Sequence, residues 1–267
     1  MNYTEEKNLL LVINLALKAG EKIVEHYENI SDVIMKNDQS PLTIADLDSN
    51  NIIMEGLKKI DDTIPILSEE ALVEWEIRKN WNKYWLVDPL DGTKEFINKN
   101  GEFTVNISLI EDNKPILGII YAPILSTLYY AYKNLGSFKI FCNKSLESLA
   151  KSKKINVTLK KKSDHLLIIG SRSHLNEGFD NWIKKNIKNY NIIKKGSSLK
   201  FCKISEGSAD LYPRFGPTSE WDIAAGHIIL LESGGTIFSI DKQEIVYNTK
   251  ENILNPYFIA SGLYTNE

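Results

Sequence analysis

Residues 85–96 read Trp-Leu-Val-Asp-Pro-Leu-Asp-Gly-Thr-Lys-Glu-Phe, an apolar run that ends abruptly in a polar turn. The apolar residues 84–87 predict a short buried strand. Pro89 then removes a backbone donor and fixes φ, and the glycine that follows permits a tight turn. The pattern therefore predicts that Asp88 and Asp91 are held close together on a stiff turn at the end of a strand.

The two carboxylates of this turn predict a site for a divalent cation. Carboxylates held this close repel each other unless a cation lies between them, and hard oxygen ligands suit Mg²⁺. The Leu90 carbonyl is a further candidate ligand, and Thr93 supplies a hydroxyl just beyond it. If a helix begins here, the backbone N–H groups of residues 92–94 can bind an anion. The alternative is an Asp-rich surface turn, which this stretch alone leaves open.

The composition sets bounds on the class of protein. The chain has 267 residues, of which 43% are hydrophobic and 25% charged, which suits one large domain or two small ones. A net charge of −3 argues against non-specific binding to nucleic acid. Two cysteines form no disulfide framework, which is typical of a reducing cytosol. No apolar run approaches the roughly 20 residues of a membrane span, so we expect a cytoplasmic protein without an integral membrane segment.

The pattern of apolar residues predicts two halves. The first should contain two helices and a largely antiparallel sheet; the second should alternate strands and helices. The helices are expected at 4–29, 44–60, 175–188, 196–206 and 223–232. The strands are expected at 32–36, 64–67, 84–87, 103–109, 116–122, 127–132, 137–141, 165–169, 190–194, 209–214, 236–240 and 258–260. We place the boundary in the charged segment 144–162, giving subdomains 1–145 and 146–267.

Three further acidic positions lie at the ends of predicted elements. Asp46 falls in the first turn of a helix whose apolar residues, including Ile44 and Leu47, should face inward; it is either a partner of the helix dipole or a general base. Glu69 follows a strand and either faces solvent or points into a crevice. Asp222 begins a helix and is either a cap or, if buried, in need of a partner such as a metal.

Two motifs carry a family resemblance. Residues 88–93 read Asp-Pro-Leu-Asp-Gly-Thr, and residues 221–226 read Trp-Asp-Ile-Ala-Ala-Gly. In this order, with a Glu-Glu pair upstream, they resemble the inositol monophosphatase superfamily of Mg²⁺-dependent, lithium-sensitive phosphatases. Within it the chain is similar to the 3′(2′),5′-bisphosphate nucleotidase branch over residues 8–260. The branch motifs lie at residues 40–43, 67–70, 91–96, 100–106, 196–202 and 211–218.

The resemblance implies an α+β fold, an αβαβα layered sandwich of the sugar phosphatase type, with the active site between the halves. It implies two or three Mg²⁺ ions, with Asp88 bridging two of them. The implied metal ligands are Glu69, Asp88, the Leu90 carbonyl, Asp91 and Asp222. The implied catalytic residues are Asp46, Thr93 and Glu69, of which Thr93 and Asp46 would orient and deprotonate the attacking water. The backbone N–H groups of Gly92, Thr93 and Lys94 would hold the scissile phosphate.

The implied substrate is adenosine 3′,5′-bisphosphate, cleaved to AMP and phosphate in sulfur assimilation, with 3′-phosphoadenylyl sulfate as a second substrate. A second phosphate requires further cations, for which Lys200 and Arg214 are candidates, and Ser197 and Ser198 can donate N–H groups. His174 is a candidate contact to the nucleotide. Glu69, Asp91 and Asp222 would face the substrate as well as the metal.

Other functions stay open at this point. The same metal site would serve an inositol monophosphatase or a fructose-1,6-bisphosphatase. A metal- or nucleotide-binding regulator without activity is a third hypothesis, against which the intact set of acidic residues argues. The sequence has no zinc-type His/Cys spacing, no phosphate-binding P-loop and no G-x-S-x-G elbow. A monomer and a homodimer are both compatible with the sequence, as is peripheral association with the cytoplasmic face of the inner membrane.

Overall fold

Two large β-sheets, a small two-stranded sheet and their helices make up the computed structural model, which describes residues 3–28, 33–35, 41–142, 144–161, 163–172 and 176–262. The helices are α1 (Tyr3–Glu28), α2 (Ile44–Ile60), α3 (Trp75–Arg78), α4 (Thr93–Ile97), α5 (Glu177–Asn186), α6 (Leu199–Ser205) and α7 (Glu220–Glu232). The strands are β1 (Ile34–Met35), β2 (Pro41–Leu42), β3 (Ile66–Ser68), β4 (Lys83–Asp91), β5 (Thr104–Glu111), β6 (Lys114–Ala122), β7 (Thr127–Tyr132), β8 (Gly136–Phe141), β9 (Lys153–Ile155), β10 (Leu166–Ser171), β11 (Tyr190–Lys195), β12 (Leu211–Arg214), β13 (Thr236–Ser239) and β14 (Phe258–Ser261).

The elements stack in five layers, as the α+β layered sandwich requires. Helices α1 and α2 bury their apolar sides on one face of a seven-stranded sheet of order β3-β4-β5-β6-β7-β8-β9. Helices α6 and α7 lie between this sheet and a second, mixed sheet of order β11-β10-β12-β14-β13. Helix α5 covers the outer face of the second sheet. The predicted fold class is therefore confirmed.

Helix α7 is buried on nearly all sides because both sheets pack against it. Ten of its residues are buried, and its apolar residues do not form a single stripe. Small residues permit this packing: a Cβ added at Gly118 of β6 would lie 2.5 Å from the Ala225 carbonyl oxygen. The close approach fixes the start of α7, and with it Asp222, against the first sheet.

The central strand is longer than the sequence predicts. The prediction ended it at residue 87, whereas β4 continues to Asp91 and pairs with β5 on both sides of a register shift between Asp88 and Asp91. The irregularity leaves Pro89 out of the ladder, where its missing N–H costs nothing. The two aspartates thus lie on either side of a bulge near the end of this strand.

Two side chains of α2 differ from expectation. Ile44 and Leu47 were expected to face inward, but they are 44% and 36% exposed. The first two turns of α2 instead bury Ala45, Asp46 and Ser49, because this side of the helix faces the end of β4, where the Ser49 hydroxyl donates to the Pro89 carbonyl oxygen at 2.7 Å. Strand β9 was not predicted; it lies inside the charged segment and pairs with β8.

Some predictions fall partly or wholly outside the described residues. His174 lies outside them, as do the ends of the strand predicted at 32–36, of which Ile34–Met35 form β1, and one terminal residue of each helix predicted at 4–29 and 175–188. Of the helices that are described, none is both long and apolar enough to cross a membrane.

A buried carboxylate far from the bulge joins the first sheet to α6. Glu206 accepts hydrogen bonds from Tyr129 Oη at 2.9 Å, Lys139 Nζ at 2.6 Å and Lys203 Nζ at 2.5 Å. Although burial alone would raise the pKa of Glu206, these donors lower it to about 2. The charged form is therefore the form that stabilises the fold.

This pKa predicts a pH-dependent loss of stability. Because the pKa is lowered on folding, the contribution of Glu206 is complete above its ordinary pKa and is lost as pH falls toward 2. We expect Glu206→Gln to lower the free energy of unfolding by about 2 kcal/mol at neutral pH, after allowance for partial access of water. Urea unfolding of both proteins should show the difference shrinking below about pH 4. A difference independent of pH would contradict the role of the charge.

Candidate active site

Three carboxylates from separate elements meet at the bulge of β4. Glu69 follows β3, Asp88 lies on β4, and Asp222 lies in the first turn of α7. One oxygen of each lies within 4.8 Å of the others, and Asp88 is buried. Burial raises the pKa of Asp88 well above its usual range, and the charges of Glu69 and then Asp91 raise it further. The pKa of Asp222 is raised for the same reasons.

This cluster fits a divalent cation. Three oxygens at these separations repel one another when charged, and burial makes the charged forms still less favourable. Hard carboxylate oxygens are the ligands that Mg²⁺ prefers, and a divalent charge would offset the repulsion. The donors present on this chain are therefore those that the predicted metal requires.

Asp91 lies in the same pocket but outside this group of three. Its Oδ2 accepts hydrogen bonds from Ser197 Oγ at 2.7 Å, from Ser198 N at 2.6 Å and from Asn106 Nδ2 at 3.4 Å. Leu90 also lines the pocket, and its carbonyl oxygen is 3.4 Å from Thr93 Oγ1. This oxygen of Asp91 thus accepts two hydrogen bonds from the second half of the chain.

Asp46 and Thr93 form a hydrogen-bonded pair beside the cluster. Thr93 Oγ1 donates to Asp46 Oδ1 at 3.2 Å. The other oxygen of Asp46 accepts from the Thr43 backbone N–H at 2.8 Å and from Thr43 Oγ1 at 2.6 Å, which caps α2. Asp46 is therefore the N3 residue of the capping box of α2 and the partner of Thr93, whereas its role as a general base stays a prediction.

Helix α4 begins directly after the bulge, as the anion-binding prediction needs. Gly92 precedes the helix with φ of +92°, a conformation that side chains disfavour, and Thr93 and Lys94 form its first turn. The backbone N–H groups of a first turn have no partner within the helix. Gly92, Thr93 and Lys94 all line the pocket, and the Lys94 side chain is exposed at its rim.

Two cations line the same pocket, which has a volume of about 260 Å³. Lys200 and Arg214 are both buried there, and Ser197 and Ser198 also line the wall. Arg214 Nε and Nη2 donate to the carbonyl oxygens of Gly216 and Pro217.

Lys200 is held deep in the wall of the pocket. Its Nζ donates to the Ser197 carbonyl oxygen at 2.5 Å and lies 5.4 Å from the centre of the Tyr212 ring. Burial lowers the pKa of Lys200 to about 8, while Asp91 opposes the shift. Its ammonium group therefore both fixes the backbone and adds positive charge to the site.

Sequence reasoning missed the polar residues that support Asp91. Thr104 Oγ1 lies 2.5 Å from Ser197 Oγ and 2.7 Å from Ser198 Oγ, and Asn106 Oδ1 accepts from Ser198 Oγ at 2.8 Å. Both are buried residues of β5. The signal was the alternation of β5, whose polar face looked solvent-exposed but is covered by the 196–198 segment.

The chain is similar to known proteins over nearly its full length. The sequence model of the inositol monophosphatase family matches residues 6–265. The chain is 43% identical to the 3′(2′),5′-bisphosphate nucleotidase CysQ of Salmonella typhimurium, covering 92% of this chain and 96% of that protein. It is 46% identical to the CysQ nucleotidase of Buchnera aphidicola, covering 100% and 96%. Among solved structures, CysQ from Bacteroides thetaiotaomicron superposes with a TM-score of 0.85 at 40% identity, covering 96% and 97%.

Proposed function

The chain belongs to the inositol monophosphatase family, and on that premise we propose that it is a Mg²⁺-dependent 3′(2′),5′-bisphosphate nucleotidase. It hydrolyses the 3′-phosphate of adenosine 3′,5′-bisphosphate to give AMP and phosphate, and it accepts 3′-phosphoadenylyl sulfate as a second substrate. The observation that carries the proposal is one pocket lined by both the carboxylate cluster and two buried cations. Its physiological role is the recycling of the bisphosphate in sulfur assimilation.

The chain offers ligands for two or three Mg²⁺ ions. They are Glu69, Asp88, the Leu90 carbonyl, Asp91 and Asp222. When bound, Mg²⁺ would supply a lowered pKa for water and positive charge for the phosphate oxygens. Lithium should inhibit the enzyme, as the family resemblance implies.

Thr93 and Asp46 act on the attacking water. Since Thr93 Oγ1 donates its proton to Asp46, its lone pairs point away from Asp46 and accept a hydrogen bond from water. Asp46 then receives the proton through the Thr93 hydroxyl, as a general base. Glu69 is the third residue of the proposed catalytic set.

The first turn of α4 binds the scissile phosphate, and the residues around Lys200 and Arg214 bind the rest of the nucleotide. N–H groups of Gly92, Thr93 and Lys94 meet the phosphate oxygens, with the carboxylate cluster beneath them. Lys200 and Arg214, with Ser197 and Ser198, meet the second phosphate. His174 is a further candidate contact to the nucleotide. The two cations that would contact a second phosphate distinguish this proposal from an inositol phosphatase.

Arg214→Gln tests this assignment. We expect kcat/KM for adenosine 3′,5′-bisphosphate to fall about 10- to 100-fold, because a hydrogen bond to a charged phosphate contributes about 1.5–3 kcal/mol. Turnover of inositol 1-phosphate, which has one phosphate, should change much less. Arg214→Lys keeps the charge and should retain part of the preference. Equal losses of kcat/KM on both substrates would show that Arg214 does not recognise the second phosphate.

The function itself is tested by a panel of phosphate monoesters at fixed Mg²⁺. Adenosine 3′,5′-bisphosphate should be the preferred substrate, and chromatography should identify AMP with its 5′-phosphate retained as the product. Preference for inositol 1-phosphate or fructose 1,6-bisphosphate would show instead that the protein is one of the alternative hydrolases with the same metal site. Release from none of them would favour the regulator.

The proposed partners are the nucleotide and Mg²⁺, without nucleic acid, and the proposed location is the cytoplasm. Peripheral association with the cytoplasmic face of the inner membrane stays a prediction that cell fractionation tests.

A further inference from the structure

We propose that Glu102 is a positioning residue that holds the 196–198 segment against Asp91 and so fixes this carboxylate for cation binding. Glu102 precedes β5 in the first half of the chain, and the 196–198 segment lies between β11 and α6 in the second. The inference rests on the proposed metal site, of which Asp91 is a member.

Glu102 is buried and fully engaged by groups of the second half. Its Oε2 accepts from Arg172 Nε at 2.9 Å and from the Gly196 backbone N–H at 2.8 Å. Its Oε1 accepts from Arg172 Nη2 at 2.9 Å and from Lys195 Nζ at 2.8 Å. Although burial opposes it, these donors lower the pKa of Glu102 to about 2, so the carboxylate is charged at neutral pH. The contacts tie the end of β11 to the start of β5.

The segment that Glu102 holds is the one that binds Asp91. Directly after Gly196, Ser197 Oγ and Ser198 N donate to Asp91 Oδ2 at 2.7 Å and 2.6 Å. A displacement of Gly196 would therefore move both donors. Glu102 thus acts on Asp91 through two residues of backbone.

The segment is strained, so it requires restraint. Ser197 has φ of +54°, a left-handed conformation that is energetically unfavourable for a non-glycine residue. The fit is also tight: a Cβ added at Gly196 would lie 2.6 Å from Glu95 Cγ and 2.8 Å from the Glu102 carbonyl oxygen. Lys200 holds the other side of the segment through the Ser197 carbonyl oxygen. Without the Glu102 carboxylate, we expect the strained 196–198 backbone to relax away from Asp91.

Groups that orient a metal ligand typically change metal affinity 10- to 100-fold when they are removed. We therefore expect Glu102→Gln, which keeps the shape but loses the charge, to weaken Mg²⁺ binding by about 10- to 100-fold. The measurement is calorimetric titration of the metal-free protein with MgCl₂, with no substrate present. Thermal unfolding in the absence of metal measures the loss of stability separately.

Glu206→Gln is the matched control. Glu206 is also a buried carboxylate with cationic donors that links the first sheet to an element beyond it, and burial and donors likewise leave its pKa at about 2. It is not among the residues that line the pocket. We expect both variants to lose stability and only Glu102→Gln to lose Mg²⁺ affinity.

Arg172→Ala provides a second, milder variant, since the Arg172 side chain is 42% exposed and its loss should not prevent folding. It should weaken Mg²⁺ binding in the same direction by a smaller factor. Unchanged affinity in both Glu102→Gln and Arg172→Ala, or equal weakening in Glu102→Gln and Glu206→Gln, would overturn the positioning role. Absence of Mg²⁺ binding to the unmodified protein would instead overturn the proposed metal site, and the inference with it.

Discussion

Asp88→Asn is expected to reduce hydrolysis of adenosine 3′,5′-bisphosphate by on the order of 10³-fold or more, because several kcal/mol of charge stabilisation depend on bound metal. The same change should not destabilise the metal-free fold. Asp88 is buried beside Glu69 and Asp222, and both burial and these charges make its ionised form unfavourable. A neutral amide removes this repulsion, so we expect the thermal midpoint without metal to stay equal or rise.

The variant should also lose the stabilisation that Mg²⁺ gives to the unmodified protein, since ligands that bind only the folded state raise its stability. Asp210→Asn is the matched control. Asp210 is equally buried but is paired with Lys160 and accepts from the Leu167 backbone N–H. Its replacement should lower the thermal midpoint and leave the Mg²⁺ response intact. If Asp88→Asn lowered the midpoint like Asp210→Asn and kept its activity, the metal mechanism would be wrong.

Thr93→Val is expected to lower kcat by about 10²-fold, within the range for loss of a positioned proton-transfer group. Valine has nearly the same shape but cannot relay a proton from water to Asp46, to which Thr93 donates at 3.2 Å. Mg²⁺ affinity should change little, because the carboxylates are untouched.

Thr93→Ser restores the hydroxyl and is expected to keep most of the activity. The pair of variants separates the hydroxyl from the methyl group at one position. Steady-state rates with saturating substrate and Mg²⁺ make the comparison. Equal rates in the valine and serine variants would show that the hydroxyl takes no part in moving the proton.

The sequence pattern predicted the helices and strands better than it predicted which of them contact one another. Helix α2 and strands β5 to β8 follow from apolar periodicity, but the strand expected to end at residue 87 continues to Asp91, so Asp88 lies on the strand rather than on a turn after it. Periodicity does not place Asp222 beside Asp88, because that contact depends on how α7 packs between two sheets. Only the resemblance to a family predicted it.

The supporting residues could not be predicted in this way. Thr104 and Asn106 form the polar face of β5, and polar alternation normally marks a solvent-facing side. Here the 196–198 segment covers that face. The pattern of β5 alone does not show this contact, because it forms only when the layers of the fold pack together. Lys200 presents the same difficulty, since a helical lysine is usually exposed, whereas this one is buried against Tyr212 and the Ser197 carbonyl oxygen.

The most direct measurement is the initial rate of phosphate release from adenosine 3′,5′-bisphosphate as free Mg²⁺ is raised from zero in chelator-treated protein. A site built from Glu69, Asp88 and Asp222 predicts no release above background without Mg²⁺ and a saturable rise as the metal is added. Release in the presence of chelator at the rate seen with Mg²⁺ would contradict the central claim that these carboxylates act through a bound cation.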